Sequence, residues 1–291
     1  PGAITCSISG YGSGGVPERE DAAGDDAVIQ ASAGRMALTG APGGEPTKVG
    51  VAIADLVSGL FAAQGILAAL FERERTGAAR HVEVSMQDAV AALLTYQAGI
   101  FFATGDSPPR MGNAHPSIAP YETVETRDGL YALAVGNDAQ FRRFAHAIDA
   151  PWLADDERFT TNALRVLHRE ALMAVLTPRL RARSRAEWDE LFRAQGIPGG
   201  PVLDVAQALT HPQLTARGSI LAHHHPAAGF FQTVASPVRL DRQRPTAAPP
   251  APRLGEHTRE VLDTVLGLEP AAIDALFDAG VIAEPPTSSS P

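Results

Sequence analysis

With one cysteine in 291 residues, Cys6, the chain has neither an internal disulfide nor a thiolate cage for a metal. That fits a reducing, cytoplasmic setting. The strand-like ITCSIS around it predicts a buried, inert thiol. Lysine is almost as scarce, Lys48 being the only one, and the net charge is -9. An acidic balance argues against nucleic-acid binding, which wants a basic face. The start is neither basic nor followed by an apolar stretch, so no signal peptide is expected. No H-E-x-x-H and no G-x-S-x-G occurs, which leaves zincin and α/β-hydrolase readings without support. The chain carries no internal repeat, and the uncharged apolar run 56–71 is short for a membrane span of about 20 residues. It is expected to be a buried core helix.

What is present describes a soluble globular chain, 45% hydrophobic and 20% charged. Strands are expected at AITCSIS, at the alternating HVEVSM (81–86), at GLYALAV (129–135) and near 220–224 and 230–240. Helices are expected over 27–39, from Asp55 to about Arg75, and over 87–103, 138–148 and 163–183. Terminal helices are expected over 258–266 and 270–279. The stretch 16–26 reads as a polar loop, GIPGGPV as a tight turn, PTAAPPAPRLGEH as an extended linker, and PPTSSSP as a disordered tail. Strands mixed with helices define an α/β class. The Pro/Gly-rich TGDSPPRMGNAHPSIAP marks a domain boundary. The expected division is a large domain at 1–105, a linker and small domain at 106–235, and a Pro-rich linker with C-terminal helices returning to the large domain at 236–291.

Asp55 is the most informative residue. It is the only charge in VGVAIADLVSGLFAAQGILAALF, residues 49–71. A carboxylate in an apolar wall is expensive unless paired or used. Near a helix start, backbone N–H groups and the macrodipole hold an anion. Such a group is either a structural cap or a nucleophile.

Other motifs have bland readings. GYGSGG (10–15) follows a strand and matches G-x-G-x-x-G, but VPEREDAAGDD follows it where a dinucleotide site needs an opening helix. His223, His224 and His225 sit in a row, and neighbours on a strand point to opposite faces, so a shared metal is not expected. The pairs Asp25-Asp26 and Asp155-Asp156 read as turns or helix caps when taken alone.

Taken in order, however, CSISGYG, GDDAVIQASAG, the TGAPGGEPTKVGVAIADL segment, RMGNAHPSIAPY, GNDAQFRRF, GIPGGPV, HPQLTARG and LGEHTREVL resemble the family III CoA-transferases, the CaiB/BaiF group. The resemblance covers essentially the whole chain. It implies a partial Rossmann-like large domain plus a smaller α/β domain. It implies Asp55 as the catalytic nucleophile, attacking an acyl-CoA thioester so that CoA passes to another carboxylic acid. Small residues around it (Ala52, Ala54, Ser58, Gly59) would leave space for the thioester. Ala23, Gly24, Asp25 and Asp26 map onto a CoA-contacting segment. RMGNAHP replaces a glycine-rich loop that covers the intermediate, with only Gly112 left as glycine, followed by Asn113 and then His115 as a substrate contact or a structural residue. Acyl-CoA and CoA are substrates, and no prosthetic group and no metal are implied. The family forms interlocked homodimers.

Two alternatives stay open. Related racemases invert 2-methylacyl-CoA with a histidine base where this chain has Asp25, and proton abstraction from both faces needs two such groups. The chain also opens directly on a strand without the Rossmann-like segment that supplies basic CoA contacts in the family. Before Phe61 it offers seven Asp/Glu against Arg19, Arg35 and Lys48. It therefore reads as the middle of a fold, and an inert chain or one needing a partner is the third possibility.

Overall fold

A parallel pair of strands joined by one long crossover helix organises the first part of the chain. The computed structural model describes residues 2–244 and 249–283. Strand β1 (Thr5–Ser9) is followed by short helices α1 (Pro17–Glu20), α2 (Asp26–Ser32) and α3 (Arg35–Leu38), then by α4 (Ile53–Thr76), β2 (His81–Ser85), α5 (Met86–Ala92) and α6 (Thr95–Thr104). β1 and β2 pair in parallel with Thr5 opposite His81 and Ser9 opposite Ser85. The His81 ring reaches across this pair to Thr5 Oγ1 at 2.8 Å and Ser7 Oγ at 3.0 Å. Parallel pairing requires a long crossover, and α4 supplies it. At Gly65 a Cβ would lie 2.6 Å from Val82 Cγ1, so glycine there lets α4 lie close on β2. α4 ends at Gly77, whose φ of +73° and N–H bond to the Arg73 carbonyl close the helix.

Several local expectations are corrected. The 16–26 loop contains α1. The helix expected over 27–39 is broken by Gly34 at φ +80°, and the one expected over 87–103 is broken at Leu93–Leu94. Cys6 is exposed, not buried. The expected core helix α4 is longer than the apolar run implied and, by length and composition only, is long and apolar enough to cross a membrane. It buries its small side (Ala54, Val57, Ser58, Ala62, Ala69) and leaves Leu56, Leu60, Leu67 and Phe71 exposed. Hydrophobicity around the whole helix does not say which face is packed.

The first core joins Ile29 and Ala33 of the α2 region, Ala54 and Val57 of α4, and Met86, Ala89 and Val90 of α5. A second core follows in sequence. Strands β3 (Tyr121–Thr126) and β4 (Gly129–Ala134) form a hairpin. Then come α7 (Asp138–Ala147), a 3-10 turn (Pro151–Ala154), α8 (Asn162–Leu167), α9 (Arg169–Leu180), α10 (Arg185–Ala194) and β5 (Gly199–Pro201). The sheet order is β3-β4-β5, all antiparallel. β3 was not expected from sequence, GIPGGPV holds β5 instead of only a turn, and the helix expected over 163–183 breaks at His168. α9 buries Leu172, Leu176 and Leu180 at four-residue spacing against Phe144, Trp188 and Phe192 in one cluster. Trp188 stacks on Phe192 and donates its indole N–H to the Leu180 carbonyl at 2.7 Å. Arg165 is fully buried yet satisfied: it donates to the carbonyls of Ala119 and Phe159 and to Asp138 Oδ1 at 2.7 Å.

The chain divides into two compact units, Pro1–Val202 and Leu203–Pro291. Both cores above lie in the first, on either side of the linker expected near residue 105, while the unit division falls earlier than the expected boundary at 235/236. The second unit holds α11 (Val205–Leu209), α12 (Pro212–Ala216), the antiparallel hairpin β6 (Ile220–His225) and β7 (Gly229–Val234), α13 (Thr258–Thr264) and α14 (Pro270–Asp278). Asp204 caps α11 through a reciprocal box with Gln207. The first residues of the proline-rich linker, 245–248, and the PPTSSSP tail lie outside the described residues.

Candidate active site

Asp55 occupies the first turn of α4 and is exposed. Among the described residues its carboxylate has neither a hydrogen-bond nor an ion-pair partner. The expected hold by the helix start is delivered by a different residue. Ala52, at the N-cap, contributes no side-chain bond. Instead Asp26 reaches across from α2, and its Oδ1 accepts from the Ala54 N–H at 2.8 Å. Its other oxygen accepts from Gln30 Nε2 at 2.8 Å, and Gln30 Oε1 accepts from the Val49 N–H at 2.9 Å. A carboxylate thus satisfies one donor at the positive end of α4, and Asp55 beside it is left free.

The segment Ala23, Gly24, Asp25 and Asp26 is therefore brought to the start of the Asp55 helix. Ala23 and Asp25 are exposed, while Gly24 and Asp26 are half-buried. Gly24 presses against the end of β1: a Cβ built on it would lie 2.2 Å from Gly10 Cα. This backbone-to-backbone approach sets the chain for the turn into α2. Asp25 is the N-cap of α2 but makes no side-chain cap bond. The small residues expected around the thioester divide in two. Ala54 and Ser58 are buried, with Ser58 Oγ donating to the Ala54 carbonyl at 2.7 Å, because positions four apart share the face packed on the core. Only Ala52 and Gly59 stay exposed.

The glycine-bearing GYGSGG turn is already closed by carboxylates. Glu83 accepts from the Ser13 N–H at 2.6 Å and from Ser13 Oγ at 3.0 Å, and Glu20 accepts from the Gly14 N–H at 3.0 Å. The Ser13 backbone and hydroxyl bonds hold Glu83 below the ordinary carboxylate range. Donors that a phosphate cradle would need are thus occupied, in line with the weak dinucleotide reading.

RMGNAHP is clasped on both sides. Arg110 donates to the carbonyls of Ala37 and Gly44, and the Gly112 N–H donates to the Gly40 carbonyl at 3.1 Å. Gly112 adopts φ +60°, which favours glycine. Asn113 Nδ2 donates to Thr123 Oγ1 at 3.0 Å. His115 lies between Tyr96 and Tyr121, with ring centroids 5.2 Å from each. Its N–H donates to the Tyr121 carbonyl, and Arg169, paired with Glu122, donates to the His115 carbonyl. Burial, assisted by the nearby Arg169 cation, pushes the His115 imidazole below its ordinary pKa. Nδ1 accepts from the Ser117 N–H at 3.2 Å, so the neutral ring carries its proton on Nε2. Sequence reasoning missed the partners that make this a built site: Tyr96, Gln97 and Arg35 come from segments with no motif of their own. Among the described residues no group of three His, Cys, Asp or Glu side chains converges as a metal site. His223 and His225 instead bond Thr233 Oγ1 and the Ala251 carbonyl.

The crossover helix α4 thus presents a free first-turn aspartate on an α/β frame. The chain belongs to CoA-transferase family III, whose family model matches residues 1–258. It is 36% identical over 282 residues to succinyl-CoA:glutarate CoA-transferase of Mus musculus, covering 97% of this chain and 64% of that protein. It is 37% identical over 258 residues to acetyl-CoA:oxalate CoA-transferase of Acetobacter aceti, covering 88% of this chain and 64% of that one. Its structure is similar to that of a CaiB/BaiF family protein from Brucella suis, with a TM-score of 0.74 and 39% identity over 90% of this chain and 67% of that chain. The chain thus spans about 64% of the length of the first of these curated relatives.

Proposed function

We propose that the protein transfers CoA from an acyl-CoA thioester to a carboxylic acid, with Asp55 as nucleophile. The observation that carries this reading is the free Asp55 carboxylate on a helix start already capped by Asp26. An Asp55 oxygen attacks the thioester carbonyl, and the C–S bond breaks to release CoA thiolate, leaving an acyl–aspartyl anhydride. The thiolate then attacks the aspartyl carbonyl, forming an aspartyl–CoA thioester and freeing the first acid as its carboxylate. The acceptor carboxylate repeats these two exchanges in reverse, and Asp55 is regenerated. No net proton or redox change is required, and each step exchanges one activated acyl bond for another.

The acids named for the two curated relatives, glutarate and oxalate, make small dicarboxylates the first acceptors to assay. The family resemblance further supports a homodimeric, cytoplasmic enzyme. Asp55→Asn keeps the side-chain shape and removes the nucleophile, so transfer should vanish while the fold persists. Full transfer by that variant, after deamidation is excluded by mass spectrometry, contradicts the assignment. Because Asp25 stands where a racemase would place histidine, 2-methylacyl-CoA should take up no deuterium from D2O. Rapid uptake with inversion would instead identify a racemase.

A further inference from the structure

Arg35 faces a cavity of about 230 Å3 without a counter-ion. The cavity is lined by Arg35, Tyr96, Gln97, Asn113, His115 and Tyr121 among others, and no carboxylate lines it. Two of its wall atoms, Arg35 Nε and Gln97 Oε1, are buried and unpaired. Three other arginines among the described residues have a buried Nε without a hydrogen bond, namely Arg110, Arg185 and Arg239. Each of those bonds through another guanidinium nitrogen. Arg35 does not: among the described residues it has no hydrogen-bond or ion-pair partner.

A half-buried cation with no partner is a standing cost that an anion relieves. The planar guanidinium fork matches a carboxylate with two parallel bonds. The other wall groups fit the same ligand. His115 is kept neutral and carries its proton on Nε2, which has no partner among the described residues and is therefore a free donor. The Gln97 amide, turned over, presents its NH2 where its unpaired oxygen now stands. The Tyr96 and Tyr121 rings on either side of His115 offer apolar faces to a short hydrocarbon chain. The volume equals about seven or eight water molecules. That admits a small organic acid and falls short of the 300 Å3 and upward usual for drug-sized ligands, so it is too small for a nucleotide.

We propose that this cavity binds a small carboxylate anion, with Arg35 as its anchoring cation. Identifying that anion with the acid that exchanges CoA rests on the transferase reading above, whereas the anion site itself does not.

Isothermal titration with glutarate, acetate and inorganic phosphate tests the site on the whole protein. Glutarate should bind saturably and more tightly than phosphate. Arg35→Met should weaken it about 10- to 100-fold, the loss of a charge-assisted bond. Arg35→Lys, which keeps charge without the fork, should recover part of the affinity. Circular dichroism checks that both variants fold, and Gln97→Leu provides a second, uncharged lesion that should also weaken glutarate. Unchanged glutarate affinity in Arg35→Met, equal or tighter binding of phosphate, or no glutarate binding by the wild type overturns the site. Asp55→Asn separates the two claims. If it binds glutarate normally while the wild type transfers no CoA, the transferase reading fails and the anion site stands. If the wild type transfers CoA but Arg35→Met leaves glutarate affinity and the KM for the acid unchanged, the anion site fails and the transferase reading stands.

Discussion

Asp26 Oδ1 accepts the Ala54 N–H at 2.8 Å, one residue before Asp55, although the two aspartates lie far apart in sequence. One carboxylate thus spends itself on the helix start, and the other remains available for chemistry. A single acid at that position would have to do both.

Replacing Asp26 tests this division. Asp26→Ala leaves the Ala54 N–H and Gln30 Nε2 without their acceptor. The loss of a helix-capping acceptor costs about 1 kcal/mol, read as a lower urea midpoint at unchanged slope. Asp26→Asn keeps one acceptor oxygen and should lose less. Equal stability of Asp26→Ala and wild type would show that the cap contributes nothing.

The contact between Gly10 and Gly24 sets a stricter limit. A Cβ on Gly24 would lie 2.2 Å from Gly10 Cα, a backbone atom that cannot swing aside. Gly24→Ala should destabilise the fold by about 1–3 kcal/mol through overpacking, whereas Gly14→Ala meets no atom within 4 Å and strains only its φ of +73°. Thermal unfolding of the two variants compares them directly, with Gly24→Ala expected to melt lower.

His115 gives a pH signature. Its folded pKa lies below the ordinary value, first because of burial and second because of Arg169. The unfolded chain takes up this proton near pH 6.5, about the value of an unperturbed histidine, while the folded chain takes it up only at lower pH. Between those values the unfolded state binds more protons, so this group lowers stability as pH falls below about 6.5 and has no effect above it. The charged groups around it are Arg169 with its partner Glu122, and Arg35 across the cavity; Tyr96 and Tyr121 flank the ring. His115→Gln should flatten the urea-unfolding free energy between pH 5 and 7, about the range in which histidine titrates. An unchanged slope would mean that another group titrates there.

The path of the main helix and the lone aspartate in its first turn were legible in sequence because both are local. The lone charge in an apolar run and the Thr76–Gly77 stop delimit α4, which the structure shows as Ile53–Thr76. Strands β2 and β4 were legible from alternation. What escaped depends on contacts between distant segments. The Asp26 cap joins α2 to α4, and the cavity joins Arg35, Gln97 and His115 from three separate stretches. Composition also does not tell which side of a uniformly apolar helix is packed, so Leu60 and Phe71 were expected inside and lie outside. Cys6 was misplaced for the same reason: strand-like sequence around it does not reveal that β1 is exposed along most of its length.

The most direct test of the central claim is the covalent state of Asp55 during turnover. The protein is incubated with succinyl-CoA, quenched with hydroxylamine, digested, and mapped by mass spectrometry. A hydroxamate on Asp55, absent when acyl-CoA is omitted and absent from Asp55→Asn, is the predicted result. Turnover of acyl-CoA with an unmodified Asp55, or with the hydroxamate on another carboxylate, would contradict the account.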